Sequence, residues 1–454
     1  MHDPRFPYRN ELDLPVIGLE AEFKVFIDDE EVVPEKIWRT PAGFVDQPLL
    51  RRSSKSSQLP TGGALYFDGG VIEVVTPVIE IAPQCTARMV RNLWEQIDFV
   101  RDQLDRWEQR SGKRVRLQAF SCHFNISFEL ARDERSRDRT IQKLAYLLAH
   151  ILPVPIIVTS ANRRSTGIGV RPRRDRIEMT LDFTPDPGLM SASAALIVGI
   201  VREIIAQPSY RLEAIPPEVP VLHGVSPAKH PSRNGWVMRN YHFPKDPFAA
   251  NLDSVEWQTS RGLMSLRQIA LATALAYRDS IKSYADRFSF RLLFSVLRGK
   301  SPALLDLADR PAAYDDVGRM TRWGTILPEL KDFASVAIDG EDETTQRRFD
   351  PDATLSPPWR RELAPERRGL TRSVYEKVFI NVGSGNRFQL GEQLLTPVAV
   401  KGWYHSIFAD AEGVELMLSI DQILQAKGVW LAPDPDSVGT RRIRVKRRPM
   451  ATSD

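Results

Sequence analysis

The first residues in the sequence with an evident chemical capacity are two glutamates at a spacing of two. They lie in the run GLEAEF at residues 18–23, as Glu20 and Glu22. Side chains two apart on a β-strand point to the same face. The run therefore predicts a strand with a carboxylate pair on one face and apolar residues on the other. A half-exposed strand with two solvated acids has the same pattern, so the pair indicates a functional site only if the arrangement recurs.

Three later runs repeat the alternation. Glu73 is a lone carboxylate in the apolar run VIEVV at 71–75, and a buried acid must be paired, hydrogen-bonded or bound to a metal ion. In the run SCHFNISF at 121–128, the polar residues share one face: Ser121, His123, Asn125 and Ser127. In the run RIEMTLDF at 176–183, they do so again: Arg176, Glu178, Thr180 and Asp182. Together the runs predict one polar surface built from several strands.

The predicted surface has the chemistry of a magnesium site. A sheet that packs one face against helices and lines a cavity with the other produces this pattern. Its donors are mainly carboxylate oxygens with one imidazole, which suits Mg²⁺, or alternatively Mn²⁺, better than zinc. The run RPRRDR at 171–176 could bind phosphate or carboxylate through paired hydrogen bonds. For any single arginine of that run, a solvated basic loop is an equally good interpretation.

The order of these runs resembles the motif order of the glutamine synthetase superfamily, which includes glutamate–cysteine ligases, related carboxylate–amine ligases and the Pup ligase/deamidase group. The run at 18–23 is similar to that family's opening strand, with its ExE pair of metal ligands. The run DGGVIEVVTP at 68–77 resembles the strand whose glutamate ligates metal, and His123-x-Asn125 resembles the histidine strand. The resemblance covers about residues 14–205, and the C-terminal half matches no branch.

The resemblance implies roles for individual residues. It implies metal ligation by Glu20, Glu22, Glu73, His123 and Glu178. We expect nucleotide contacts by His123, Asn125 and Ser127, and by Arg173 and Arg174, which could substitute for a family arginine that this sequence lacks. The catalytic residues that we expect are Asp68, which would accept the proton of an amine, and two arginines that would hold phosphate and carboxylate in line, Arg171 and Arg176. The sequence departs from the family at Thr180, where an arginine often stands.

The resemblance also implies an activity and a fold. In the implied reaction, ATP converts a carboxylate to an acyl phosphate, and an amine then attacks to form an amide or peptide bond. The expected substrates are a small, amino-acid-like carboxylic acid and an amine, with ATP and Mg²⁺ as cofactors and a homo-oligomer as one option. The expected fold is α+β, with a curved, largely antiparallel sheet that forms a funnel lined by acidic residues and has helices packed outside. Two alternatives remain open: an amidase or deamidase on the same scaffold, and a non-catalytic nucleotide-binding scaffold.

Hydrophobic periodicity predicts the elements that position these residues. Alternation predicts strands at 14–28, 64–78, 115–128 and 176–183, and three- and four-residue spacings predict helices at 89–107, 141–151 and 190–206. The run RRSSKSSQLPTGG at 51–63 is typical of a mobile loop. We expect three parts of the chain: a catalytic domain at 14–300, a C-terminal extension of mixed structure at 301–430 with a linker or insertion at 339–369, and a flexible basic tail at 431–454.

Composition narrows the class of protein. The 454 residues are 42% hydrophobic and 26% charged, as in ordinary globular proteins. No uninterrupted apolar stretch reaches the roughly 18 residues of a membrane span, so we expect no membrane partner. Two cysteines, Cys85 and Cys122, cannot make a disulfide framework, which favours the cytoplasm. We interpret the basic run RRIRVKRR at 441–448 as a solvated tail rather than a polyanion site, and expect no nucleic-acid partner.

Overall fold

The computed structural model of the chain describes residues 14–129, 137–165, 167–231, 234–307, 317 and 372–433. The strands in these ranges are β1 Val16–Ile27, β2 Glu30–Val32, β3 Leu50–Arg51, β4 Ser56–Gln58, β5 Ala64–Asp68, β6 Val71–Val75, β7 Ile79–Glu80, β8 Val115–Ser127, β9 Gly169–Pro172, β10 Arg176–Leu181, β11 Trp236–Val237, β12 Glu256–Thr259, β13 Gly262–Ser265, β14 Arg387–Leu390, β15 Gln393–Lys401, β16 His405–Ala409, β17 Glu415–Ser419 and β18 Val429–Leu431. The helices are α1 Pro34–Trp38, α2 Thr86–Ser111, α3 Ile141–Ile151, α4 Pro153–Ser160, α5 Pro187–Ala206, α6 Leu266–Ala276, α7 Arg278–Tyr284, α8 Arg287–Leu297, α9 Val374–Gly383 and α10 Ile420–Ala426.

Sixteen of the described strands form one sheet, whose main path runs β11-β9-β10-β8-β1-β6-β5-β4-β3-β15-β14-β18. β2 and β7 pair with β1, β16 extends from β15, and β17 pairs with β16, while β12 and β13 form a separate hairpin. The described pairings are antiparallel except at Ala399 and Arg51, where β15 and β3 run parallel. The α+β class and the largely antiparallel sheet are therefore confirmed. The funnel shape and its acidic lining stay predictions.

β1 is the central strand, and its alternation separates the core from the polar face. Leu19, Ala21 and Phe23 are fully buried on the side where α2 contacts β1. The spacing of apolar residues predicted a helix at 89–107, and α2 contains it. Gly112 ends α2 in a left-handed conformation with φ of +69°, which glycine adopts without a steric penalty. One apolar layer thus fixes which side chains of β1 face outward.

Helix α5 is the most apolar long element of the described chain. It is the one described helix that is long and apolar enough to cross a membrane by itself, and 83% of its most apolar window is buried inside the structure. α3 and α4 pass the same test together but are bent by 58° at their junction. α5 packs against α2, α4, α7 and α8. The burial of α5 shows that other helices cover its apolar surface.

The C-terminal residues from 372 onward form a smaller unit with its own apolar cluster. Tyr375, Phe379, Phe388 and Phe408 are buried in this cluster. The unit joins the main sheet because β15 pairs with β3. Packing in the main core continues past the predicted boundary at 300, as far as Leu305 and Val317, and the division into domains stays a prediction.

One predicted segment is wrong in part. The run at 51–63 was expected to be a loop, yet it supplies the end of β3 and all of β4. β3 pairs with β4, and β4 pairs with β5. Ser56, Ser57 and Gln58 are buried. Polar composition suggested solvent, whereas the strands here are buried between β5 and the C-terminal unit. The predicted insertion at 339–369 lies outside the described residues, as does all but residues 431–433 of the predicted tail.

Candidate active site

The four acidic and histidine-bearing runs lie side by side on one face of the sheet. Glu20 of β1 pairs with His123 of β8, and Glu22 pairs with Ser121 on one side and with Glu73 on the other. Directly paired residues in antiparallel strands project from the same face. The pairing therefore brings together residues that are far apart in the sequence, such as Glu20 and His123, which are in contact although they are 103 positions apart.

The row continues across β10 and β9. Glu178 pairs with Asn125 of β8 and with Arg171 of β9, and Thr180 pairs with His123. The predicted metal ligands thus share one face of the sheet, the acidic face: Glu20, Glu22, Glu73, His123 and Glu178. Their assignment as ligands stays a prediction.

His123 lies at the centre of this face and is held on both ring nitrogens. Its Nδ1 is 3.1 Å from Oε2 of Glu20, and its Nε2 is 3.2 Å from Nη2 of Arg171. A guanidinium can only donate, so Nε2 accepts and Nδ1 carries the proton toward Glu20. Oγ of Ser121 donates to Oε2 of Glu22 over 2.5 Å and lies 3.5 Å from Nε2 of His123. The imidazole orientation is therefore fixed before any ligand binds.

Glu178 is buried and already neutralised by arginines. Nε of Arg171 lies 2.5 Å from Oε1 of Glu178, and Arg173 donates from Nε to Oε2 over 2.8 Å and from Nη2 to Oε1 over 3.1 Å. Burial alone would raise the pKa of Glu178, but the hydrogen bond from Arg173 and the positive charge of Arg171 lower it overall. Arg171 and Arg173 thus lie on the acidic face, as expected, with a carboxylate where a phosphate could bind.

Glu73 is in the opposite situation. Burial first, and then the negative charges of Glu20, Glu22, Asp68 and Glu178, raise its pKa to about 9. Its carboxylate makes no hydrogen bond or ion pair with the residues that the structure describes. Glu73 therefore remains protonated near neutral pH unless a cation joins this face.

The remaining predicted residues occupy different parts of the face. Asp68 is exposed at the end of β5, close enough to Glu73 to raise its pKa. Nε of Arg176 donates to Oδ1 of Asn125 over 2.8 Å. Oγ of Ser127 bonds the backbone N and O of Val16 at 2.8 and 3.1 Å, so part of its role is structural.

Arg174 is set apart from the acidic face. It lies exposed in the turn between β9 and β10. Within the described residues its side chain forms no ion pair or hydrogen bond, so the structure brings it to none of the other predicted site residues.

A cleft opens to solvent at the Val16 end of this face. Its lining combines apolar and polar side chains: Val16, Gly18, Glu20, Val75, Val78, Asn125, Ser127, Arg176, Trp403 and Tyr404. The Nδ2 atom of Asn125 is buried and has no hydrogen-bond partner among the described residues. An unpaired buried donor is costly, so this atom favours a ligand with an acceptor group in the cleft.

Sequence reasoning missed the aromatic side of the cleft. Trp403 and Tyr404 lie in the turn between β15 and β16, in the half of the chain that matched no branch. Tyr66 of β5 pairs with Glu73 of β6. Its place on this face could have been predicted from the sequence, because it alternates with Asp68 in the same run. Phe120 had none: it lies at the β-bulge of β8 beside Glu22 and is 38% exposed.

As the side chains stand, the described residues contain no group of three or more histidine, cysteine, aspartate or glutamate side chains arranged to hold a metal ion. The chemistry of the donor set still fits a hard divalent cation, because adjacent strands present carboxylates that no cation neutralises around Glu73. Rotation of the glutamate side chains would have to draw the ligands together. The site is thus chemically suited to a divalent cation without being preformed.

Comparison with solved structures finds matches at low sequence identity. One is a complex between the prokaryotic ubiquitin-like protein Pup and its ligase PafA, with 11% identity, 91% of this chain and 92% of that chain covered, and a TM-score of 0.42. Another is the Pup ligase PafA in complex with ADP, with 12% identity, coverage of 83% and 90%, and a TM-score of 0.43. A bifunctional glutathione synthetase from Pasteurella multocida has 11% identity, coverage of 87% and 59%, and a TM-score of 0.37.

No family model matches the chain. No curated protein matches it in sequence.

Proposed function

We propose that this chain is an ATP- and Mg²⁺-dependent carboxylate–amine ligase. The observation that carries the proposal is the concentration of carboxylates on one face of the central strands. Within it, Glu73 has no cationic partner among the described residues, and its neighbours raise its pKa to about 9. A face of this kind is costly to keep in a structural role. A bound divalent cation removes that cost and supplies a binding site for nucleotide phosphates.

The metal would be held in the middle of the face. Glu20, Glu22 and Glu73 supply oxygens from the adjacent strands β1 and β6, and His123 can supply Nε2 once Arg171 releases that atom. When bound, the cation neutralises charge on the phosphates. Glu178 can join these ligands only if Arg171 and Arg173 release it. Those two arginines would then be free to bind phosphate oxygens.

The cleft is the proposed site of the nucleoside. Val16, Val75 and Val78 give it an apolar wall, and Trp403 and Tyr404 give it an aromatic one. A purine base needs apolar and aromatic contacts with a few polar groups, and Nδ2 of Asn125 is an unused donor. The base would lie at the Val16 end and the phosphates beside Glu20, His123 and Arg171.

The acceptor end of the site lies beyond Glu22, where Asp68 is exposed. In the proposed reaction, the γ-phosphoryl group of ATP moves to a substrate carboxylate, and ADP departs. An amine then displaces phosphate and forms the C–N bond, and Asp68 accepts the proton that the amine loses. Arg171, Arg173 and Arg176 hold the anionic groups in line.

The direct test is ADP release by the purified full chain with Mg²⁺–ATP. Two substrate pools are compared: free amino acids with amines, and peptides that carry free carboxylates and amines. The proposal predicts that ADP release needs both a carboxylate and an amine and is lost in Glu22→Gln. The matched control is Glu31→Gln. Glu31 lies on the outer strand β2, its side chain is 53% exposed, and it forms an ion pair with Lys24 of β1.

The alternatives give different results in the same assay. An amidase on this scaffold would release ammonia or an amine from an amide substrate without stoichiometric ADP. A non-catalytic scaffold would bind nucleotide and release nothing. Either outcome would contradict the ligase proposal, and which pool supports turnover identifies the substrate class.

A further inference from the structure

The turn between β15 and β16 lines the cleft with Trp403 and Tyr404 and is held at both ends. On one side, the hydroxyl of Tyr404 donates to Oδ2 of Asp175 over 3.1 Å. On the other side, Nη2 of Arg52 donates to the carbonyl oxygen of Gly402 over 2.5 Å. Arg52 and Gly402 lie 350 positions apart in the sequence. The turn therefore joins the two sides of the cleft, and Trp403 lies between its anchors.

Arg52 does more than bond the turn. Its guanidinium lies 5.1 Å from the ring centroid of Trp403 and 5.8 Å from that of Tyr66. Its Nε donates to the hydroxyl of Tyr66 over 3.0 Å, and its Nη1 donates to Oε1 of Gln58 over 2.7 Å. The rings of Tyr66 and Trp403 are themselves only 6.4 Å apart between centroids, so the guanidinium lies beside this ring pair, with Nε, Nη1 and Nη2 all donating. Trp403 lines the cleft, and Arg52 contacts its ring.

The chemistry of this cluster depends on arginine. A guanidinium stacks on aromatic faces and presents donors in a fixed plane, whereas an ammonium is a compact point charge that cannot do both. Without Arg52, the remaining described hydrogen bonds of the turn are those of Tyr404: its hydroxyl to Asp175 and its backbone oxygen to the backbone N of Ile420. Trp403 would then keep its contact with the Tyr66 ring and its packing against the C-terminal apolar cluster, but it would lose the guanidinium that contacts its ring and bonds the turn at Gly402.

We propose that Arg52 is the positioning residue for the nucleotide cleft: it fixes Trp403 as the aromatic wall on which the base of ATP stacks, and so makes nucleotide affinity depend on the docked C-terminal unit. The inference rests on the proposed function, because the ligand is the nucleotide of that reaction. It assigns a role to two residues in segments that otherwise carry no motif, the run at 51–63 and the C-terminal half.

The test is calorimetric binding of Mg²⁺–ATP to the full chain. Arg52→Ala is expected to raise Kd about tenfold, which corresponds to roughly 1.4 kcal/mol, and Trp403→Ala is expected to do the same. The double variant should bind no more than about twofold more weakly than Trp403→Ala, because both changes remove one interaction. Arg51→Ala is the matched control: Arg51 is the exposed neighbour of the same type, and its variant should bind like the wild type.

Steady-state kinetics separates positioning from general damage. Arg52→Ala should raise the KM for ATP with little change in kcat, whereas loss of folded enzyme lowers the apparent kcat at constant KM. If Arg52→Ala does not fold, Arg52→Lys takes its place with the same expectation. Wild-type affinity in a folded Arg52 variant, or multiplicative effects of the Arg52 and Trp403 changes, would overturn the inference alone. Absence of nucleotide binding by the wild type would instead overturn the proposed function.

Discussion

The carboxylates of the acidic face differ in what neutralises them. Glu178 is bonded to Arg171 and Arg173, and Glu20 is bonded to His123. Glu73 has no such partner among the described residues, and burial and four acidic neighbours raise its pKa. An isolated residue of this kind is a functional candidate, because structural acids are normally paired. It is also the residue whose substitution least disturbs existing contacts.

Asp182 is a buried acid whose role is different. Sequence alternation grouped it with Arg176, Glu178 and Thr180, but its Oδ2 accepts from the backbone N of Asn162 over 2.8 Å and its Oδ1 from Oγ of Ser165 over 3.0 Å. It therefore anchors the loop that follows α4. Burial raises its pKa from 3.8 to about 7, and these two hydrogen bonds oppose the rise only partly.

The raised pKa of Asp182 should make the stability of the protein depend on pH. Because the unfolded chain loses this proton first as pH rises, its contribution is greatest below about 3.8, decreases as pH rises and levels off above about 7. Asp182→Asn should keep both hydrogen bonds with its oxygen and its amide. As pH rises from 5 to 8, the free energy of unfolding of the variant should therefore decrease by on the order of 1–3 kcal/mol less than that of the wild type.

Urea unfolding across that pH range checks the prediction. Asp279→Asn is the control, because the side chain of Asp279 is 97% exposed, and it should follow the wild type. Parallel curves for the wild type and Asp182→Asn would show that Asp182 is already ionised in the folded protein.

At the scale of elements, a buried ion pair attaches the C-terminal unit to the main domain. Nη2 of Arg91 in α2 lies 2.7 and 2.9 Å from the two carboxylate oxygens of Glu376 in α9, and the side chains are 3% and 0% exposed. Arg372 bonds both Glu376 and Glu95 at 2.8 Å. These contacts place α9 on α2 and so set the position of the β15–β16 turn over the cleft.

Glu376→Gln should therefore loosen the C-terminal unit. Removal of one partner leaves a buried arginine poorly compensated, at a cost of about 3 kcal/mol. Hydrogen exchange should become faster in α9 and in β14 to β18 and change little in β1 and β8. Lys377→Gln, on the exposed side of α9, serves as the control. Uniform protection in the Glu376 variant, equal to that of the wild type, would mean that the pair does not hold the unit in place.

The sequence predicted these elements unevenly. β1, β8, α2 and α3 were predicted because each has a clear period of its own. β3 and β4 were not, since their polar residues are buried only by contacts with β5 and the C-terminal unit. A local pattern cannot reveal burial that comes from residues some 350 positions away, such as the contact between Arg52 and Gly402.

At the scale of the whole molecule, one sheet carries both the acidic face and the wall of the cleft. The acidic face follows from alternation in β1, β6, β8 and β10, so its residues could be predicted together from sequence. The aromatic wall depends on the parallel pairing of β15 with β3. No motif or spacing indicates that pairing, so Trp403 and Tyr404 could not be predicted as parts of the site.

A metal–nucleotide site on the acidic face is tested most directly by calorimetric binding of ATP to wild type and to Glu73→Gln, with Mg²⁺ and with EDTA. If the site exists, the wild type binds ATP in a Mg²⁺-dependent way. Glu73→Gln should weaken it about tenfold or more, since one charged contact is worth roughly 1.5–3 kcal/mol. Glu31→Gln should bind as the wild type does. Equal ATP affinity with and without Mg²⁺, or unchanged affinity in Glu73→Gln, would contradict a metal–nucleotide site on this face.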